Sequence, residues 1–127
     1  MAVFDSLCRM AADNAHLADF VVVYIEEAHP TDGWALPGNH EISQHRTLED
    51  RLAAAAKLND RSLPDNMTLV VDNMSNELNR AYGAIPERLY VVQNGVVELE
   101  GGRGPFLFNP ADVSGWLKSY RERFDVR

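Results

Sequence analysis

A three-layer α/β/α sandwich is the fold class this sequence predicts, and three observations predict it. The runs "FVVVYI" and "MTLVV" are continuous in β-branched and aromatic residues, which suits interior strands covered on both faces. Stretches with helical spacing of apolar residues alternate with these runs, and strands separated by helices pair in parallel through right-handed crossovers. A further pair of runs, "RLYVVQ" and "VVELE", flanks Asn94-Gly95, a strong hairpin signal that adds an antiparallel edge. The order is α-β-α-β-α-β-β-α. With 127 residues and 46% hydrophobic content, the whole span 1–127 is expected to be one domain around one core.

The elements follow in chain order. Val3, Phe4, Leu7, Cys8, Ala11 and Ala15 recur at helical spacing, which predicts a helix from Ala2 to His16 with Cys8 on its buried stripe as a small core residue. The first strand runs from Phe20 to Ile25 and is ended by Pro30 and "TDG". After the loop "PGNHEIS", Thr47 with Asp50 three residues on forms a capping box for a helix through "LEDRLAAAAKL", whose inner face reads as Leu48, Leu52 and Ala55. Met67–Val71 is the second strand, and a short helix follows near Glu77 to Tyr82. The hairpin strands are 88–93 and 96–100. Asn109 as cap, Pro110 at the first helical position and Asp112 in the first turn open a last helix with the stripe Val113, Trp116, Leu117, Tyr120 and Phe124.

Composition removes several classes of function. The formal charge of -7, with acids and bases interleaved, lacks the basic clustering that a phosphate backbone requires, so nucleic acid is not an expected partner. A single cysteine excludes an internal disulfide, a CxxC couple and a cysteine-rich metal site. No apolar run reaches the roughly 20 residues that span a bilayer, and the acidic, amphipathic start is unlike a signal peptide, so the chain as given is expected to be soluble. The segment "HEISQH" comes close to the zinc motif HExxH but is one residue too long. His40 and His45 would sit about 140° apart on a helix, so no metal is expected there.

The stretch "LVVDNMSNELNRAYGAIPERLYVVQNGVV" resembles the second half of a thioredoxin-like domain of the peroxiredoxin type. In that fold the proline before the strand is usually cis and lies beside the active thiol, which makes Ile85-Pro86 the candidate bond. A more specific resemblance covers nearly the whole chain. "VVVYIEEAHPTDGW", "QHRTLEDRLAAA", "PERLYVVQNG" and "GGRGP" are similar, in order and spacing, to the catalytic domain of the iodothyronine deiodinases. The block "YIEEAHPTDGW" is the most specific of these. "AIPERLYV" alone points only to a thioredoxin-like fold.

The resemblance implies a selenoprotein oxidoreductase of thyroid hormone metabolism that removes iodide reductively from iodothyronines. Deiodinases carry selenocysteine, or in some relatives cysteine, at the end of a strand just before the first helix of this chain, and no such residue stands here. The expectation is therefore a truncated sandwich lacking its nucleophile-bearing strand, with the nucleophile upstream of Met1. The implied strand order is 67–72, 20–26, the missing strand, 88–93, 96–100. The resemblance further implies an iodinated aromatic substrate, an external thiol reductant, no bound cofactor, and full-length relatives that are membrane-anchored homodimers of the plasma membrane, endosome or endoplasmic reticulum.

In an α/β sheet, ligands bind at the carboxyl ends of parallel strands, and "YIEEAH" is such an end. Strand alternation puts Tyr24 and Glu26 on one face and Ile25 and Glu27 on the other. By resemblance Glu27 and His29 are the catalytic pair, since a carboxylate beside an imidazole holds its tautomer and lets it deliver a proton near neutral pH. Read from the residues alone, the same acids and histidine also fit a solvated loop. His45 and Tyr24 resemble further active-site positions; a surface place at a helix start is the other reading of His45. Arg88 suits bidentate recognition of a carboxylate or phenolate, or else a surface ion pair with Glu87 or Asp72. Pro86 is expected beside the substrate, with Trp34 and Phe106 as apolar wall for an aromatic ring. His16 and His40 read as surface residues. Two other functions fit parts of the pattern: a general thioredoxin- or peroxiredoxin-like thiol oxidoreductase, and a non-catalytic fragment. The "EEAHPTDGW" block, which plain thioredoxins lack, separates a deiodinase from the first of these, and turnover of thyroxine separates it from the second.

Overall fold

The computed structural model describes residues 2–26, 46–59, 63–104 and 106–124. The elements are α1 (Ala2–Asp13), β1 (Phe20–Tyr24), α2 (Leu48–Asn59), β2 (Met67–Val71), α3 (Glu77–Tyr82), β3 (Tyr90–Gln93), β4 (Val96–Glu100) and α4 (Ala111–Phe124). Their order is the predicted one. The ends differ where a side chain intervenes locally. Helix α1 stops before His16 because the Asn14 amide turns back to donate to the Met10 carbonyl at 2.8 Å, and the following N–H groups of Leu17 and Ala18 bond to the Asn14 carbonyl.

Strands β1 and β2 pair in parallel, Phe20 opposite Met67 through Tyr24 opposite Val71. Strands β3 and β4 pair antiparallel around Asn94-Gly95, both residues of which take positive φ, 52° and 77°, as a type I′ turn requires. Among the described residues these are two separate two-stranded sheets, and no ladder joins β1 to β3. The neighbouring pairs match the expected order, and among the described residues no strand lies between them. The described residues form a mixed α/β arrangement with two small sheets and four helices.

The core lies between α1 and the β1–β2 sheet. Phe4, Ala11 and Met67 are buried, with Leu7, Cys8, Phe20, Val22 and Leu63 packed against them. Cys8 thus sits on the inner stripe, its thiol 3.8 Å from the Met67 sulfur. Helix α2 corrects the sequence reading of its inner face. Leu48 and Leu52 are 46% and 49% exposed, and the buried face runs through Arg51, Ala54 and Ala55. The reason is polar. The carbonyls of the loop after β2 need donors, and Arg51 supplies them from inside. In α4, Val113 and Leu117 are buried as expected, but Phe124 is exposed, its ring tilted against that of Tyr120 at 4.6 Å between centroids.

The capping box at α2 forms as read. Asp50 N–H donates to Thr47 Oγ1 at 3.1 Å, and Thr47 N–H donates back to Asp50 Oδ2 at 3.2 Å. Replacing Thr47 by alanine removes one of these two bonds, and urea unfolding should register a loss of about 1 kcal/mol. At α4, Asn109 Oδ1 accepts from Ala111 N–H at 3.1 Å, so the predicted cap is also present.

Candidate active site

Parallel pairing brings the carboxyl ends of β1 and β2 to the same end of their sheet. Tyr24, half-buried, is the last residue of β1 and accepts from Asp72 N–H on its carbonyl at 2.9 Å. Asp72 follows β2 directly and is 1% exposed. Its Oδ1 accepts from the N–H groups of Asn73 (2.9 Å) and Leu78 (3.1 Å), and its Oδ2 accepts from Asn79 N–H (3.0 Å). One carboxylate therefore anchors the start of α3, whose preceding residue, Asn76, takes a left-handed conformation and makes no side-chain cap. Arg51, 2% exposed, closes the loop from the α2 side, donating from Nη1 to the carbonyls of Asp72 (3.3 Å) and Asn73 (2.8 Å) and to Asn76 Oδ1 (3.0 Å).

Helix α3 ends on Gly83 at a φ of 57°, and the chain turns into Ile85-Pro86, which is cis as expected. This turn is held against the β1 end. Glu26, two residues past β1, accepts from Asn79 Nδ2 at 3.0 Å, while Asn79 Oδ1 accepts from Ile85 N–H at 2.9 Å. The "GGRGP" block explains itself in the same place. Gly101 N–H donates to the Leu89 carbonyl at 2.8 Å, Gly104 N–H to the Glu87 carbonyl at 2.9 Å, and Arg103 Nε to the Ile85 carbonyl at 2.9 Å. A Cβ at Gly101 would meet the Leu89 carbonyl oxygen at 2.5 Å, so only glycine lets these strands approach.

Arg88 leaves this turn at the start of the hairpin. Its Nε donates to the Gly101 carbonyl at 2.9 Å, its Nη1 to the carbonyls of Tyr82 and Gly83 at 3.3 and 3.4 Å, and its Nη2 pairs with Glu100 at 2.5 Å. The ion-pair partner is thus Glu100, not Glu87 or Asp72. The guanidinium also lies 5.3 Å from the centre of the Tyr90 ring. Glu100 is the only acid in this set of contacts and is largely exposed, so the face of Arg88 that it covers is the one from which another anion would arrive.

The structure therefore brings together the β1 end with Tyr24 and the turn with Pro86, and places Arg88 just beyond. Glu27, His29, Trp34 and His45 lie outside the described residues, as does His40. Phe106 is 94% exposed and lines no wall here. His16 is on the surface as read. Arg51, Asp72 and Asn79 were missed as contributors to this end of the sheet, because nothing local marks a mid-helix arginine or asparagine as buried. An open groove of about 600 Å³ lies between α2 and β2, lined by residues such as Leu52, Ala56, Leu63 and Leu69, and among the described residues Asp65 is the one titratable side chain in its lining. Among the described residues there is no group of three or more His, Cys, Asp or Glu side chains placed to hold a metal ion, and no helix is long and apolar enough to cross a membrane.

Fold and site together define a mixed α/β protein in which the end of a parallel strand is tied through Asn79 to a cis-proline turn, with the Arg88 guanidinium held on the hairpin beyond it. The family model described as iodothyronine deiodinase matches residues 1–121, so the chain belongs to the iodothyronine deiodinase family. It is 46% identical over 113 residues to a type II iodothyronine deiodinase of Aquarana catesbeiana, covering 87% of this chain and 43% of that protein. A thyroxine 5-deiodinase of Sparus aurata is 48% identical over 114 residues, covering 89% and 42%. The human type II iodothyronine deiodinase is 43% identical over 121 residues, covering 91% and 44%. The chain thus spans less than half the length of these curated relatives.

Proposed function

We propose that this chain is the acid–base and substrate-holding part of a thioredoxin-like, peroxiredoxin-type deiodinase domain that removes iodide reductively from iodothyronines. Family membership over residues 1–121 carries this reading, and the junction of the β1 end with the Ile85-Pro86 turn supports it from the geometry. The net reaction converts an aryl iodide and two thiols into the arene, iodide, a disulfide and a proton. A selenolate or thiolate, borne on a strand that fits between β1 and β3, supplies the soft nucleophile that takes iodine along the C–I bond. The ring carbon that loses iodine needs a proton.

The chain's own residues serve that need. His29, oriented by Glu27, delivers the proton to the ring carbon, and Tyr24 and His45 extend the hydrogen-bond network that recharges it. Arg88 exchanges Glu100 for the carboxylate or phenolate of the substrate, a pairing that suits its planar fork. Trp34 and Pro86 bound the ring. An external thiol reductant restores the nucleophile, and membrane-anchored homodimers are the expected full-length form.

The test is iodide release from an iodothyronine by the full-length protein with a dithiol reductant. Release with turnover is expected. Reduction of peroxides or disulfides without iodide release would make it a general thiol oxidoreductase instead.

A further inference from the structure

Asn79 lies within α3, is 5% exposed, and has a partner for every polar atom. Its N–H donates to Asp72 Oδ2 at 3.0 Å and its carbonyl accepts from Ala84 N–H at 3.0 Å. Its side chain spans two segments far apart in sequence, donating from Nδ2 to Glu26 Oε1 at 3.0 Å and accepting on Oδ1 from Ile85 N–H at 2.9 Å. The orientation of the amide follows from its partners, since a carboxylate needs a donor and an N–H needs an acceptor. Arg103 holds the same Ile85 by its carbonyl, so that residue is fixed from both sides.

Only asparagine meets both demands at this length. Aspartate would set a carboxylate against Glu26, leucine would leave the half-buried Ile85 N–H and the carboxylate without their partner, and glutamine adds a methylene in a packed site. Glu26 precedes Glu27 by one residue, a Cα step of about 3.8 Å, and Ile85 precedes Arg88 by three. A shift at either end of the amide therefore moves one of the groups on which the reaction depends.

We propose that Asn79 is a positioning residue that locks the carboxyl end of β1 to the Ile85-Pro86 turn, and so sets the spacing between Glu26 and Arg88. Its catalytic consequence rests on the deiodinase reading; the lock itself does not. Displacement of a reacting group by about 1 Å costs on the order of 10²-fold in rate, so a residue remote from the chemistry can govern it through spacing alone.

Reciprocal exchange tests the lock in the full-length protein. Asn79→Asp keeps the acceptor for Ile85 but turns the donor toward Glu26 into a second carboxylate. Adding Glu26→Gln restores a hydrogen bond in the opposite direction, because the glutamine amide introduced there donates to the new carboxylate. For iodide release, kcat should fall at least about 10-fold in Asn79→Asp with KM within about twofold, and the double variant should return to within about threefold of Glu26→Gln alone. Amide hydrogen exchange should rise together in segments 20–26 and 83–89 of Asn79→Asp and fall back in the double variant. Glu26→Ala breaks the same bond from the β1 side and leaves α3 intact, so it is the variant to read should Asn79→Asp not fold; it should be slower than Glu26→Gln by a similar factor. The proposal is overturned if Asn79→Asp keeps wild-type kcat, if the double variant is no faster than Asn79→Asp, or if Glu26→Ala matches Glu26→Gln. Should the wild-type protein release no iodide, the deiodinase reading fails, and the exchange data alone decide the lock: independent behaviour of the two segments would refute it.

Discussion

Replacing His29 by alanine, or Glu27 by glutamine, is expected to lower kcat for iodide release by about 10²-fold or more while KM changes less than about threefold. In the proposed relay the proton is needed at the ring carbon. A protonated imidazole contributes only as the C–I bond breaks, so its loss is felt in the transition state and not in substrate binding. On the proposed pairing the Glu27 change should be the milder of the two, because it leaves the imidazole in place. Arg88→Ala offers the contrast, since a group that binds the substrate's anion in ground and transition states alike should raise KM chiefly. Steady-state iodide release by the three variants, each compared with wild type for its thermal midpoint, checks the assignment. A His29→Ala enzyme that retained wild-type kcat would remove the relay from the mechanism.

Asp72→Ala should be the most damaging of the structural changes. Asp72 is 1% exposed and is the acceptor for three backbone N–H groups, those of Asn73, Leu78 and Asn79. Alanine leaves those donors without the carboxylate at the head of a six-residue helix, which is too short to persist without tertiary support. The expected loss is about 3 kcal/mol, a large part of the roughly 5–15 kcal/mol that holds a domain folded. Asp72→Asn should be destabilised less, since it keeps one acceptor oxygen but aims its amide donor at an N–H. Denaturant unfolding of the full-length protein measures both, and a loss below about 1 kcal/mol for Asp72→Ala would show that water or a shifted loop satisfies the same donors.

Much of this architecture was legible in residue order. The Thr47–Asp50 box, the Asn109 cap and the Asn94-Gly95 turn were readable because each is a local device whose partners lie within a few residues, whereas the cis Ile85-Pro86 bond was expected only from the resemblance to a thioredoxin-like fold. The "GGRGP" block was legible as a mark of family but not as structure. Its glycines matter because they run beside residues 85–89, a contact that spacing along the chain does not reveal. Helix α2 misled for a related reason. Hydrophobic periodicity put Leu48 and Leu52 inside, whereas the carbonyls of Asp72 and Asn73 drew Arg51 into that place.

The sequence by itself determined the order of helices and strands, the parallel and antiparallel pairing, the caps and turns, and membership of the iodothyronine deiodinase family. Caps and turns depend on neighbours a few positions away, the sense of pairing on whether a helix or a tight turn separates two strands, and the family on motifs specific enough to stand alone. Only the tertiary structure decided which polar side chains are buried and what they join: Arg51 to the loop after β2, Glu100 to Arg88, and Asn79 between Glu26 and Ile85. A buried polar group is tolerated only where a partner satisfies it, and here the partners come from segments that meet through folding alone.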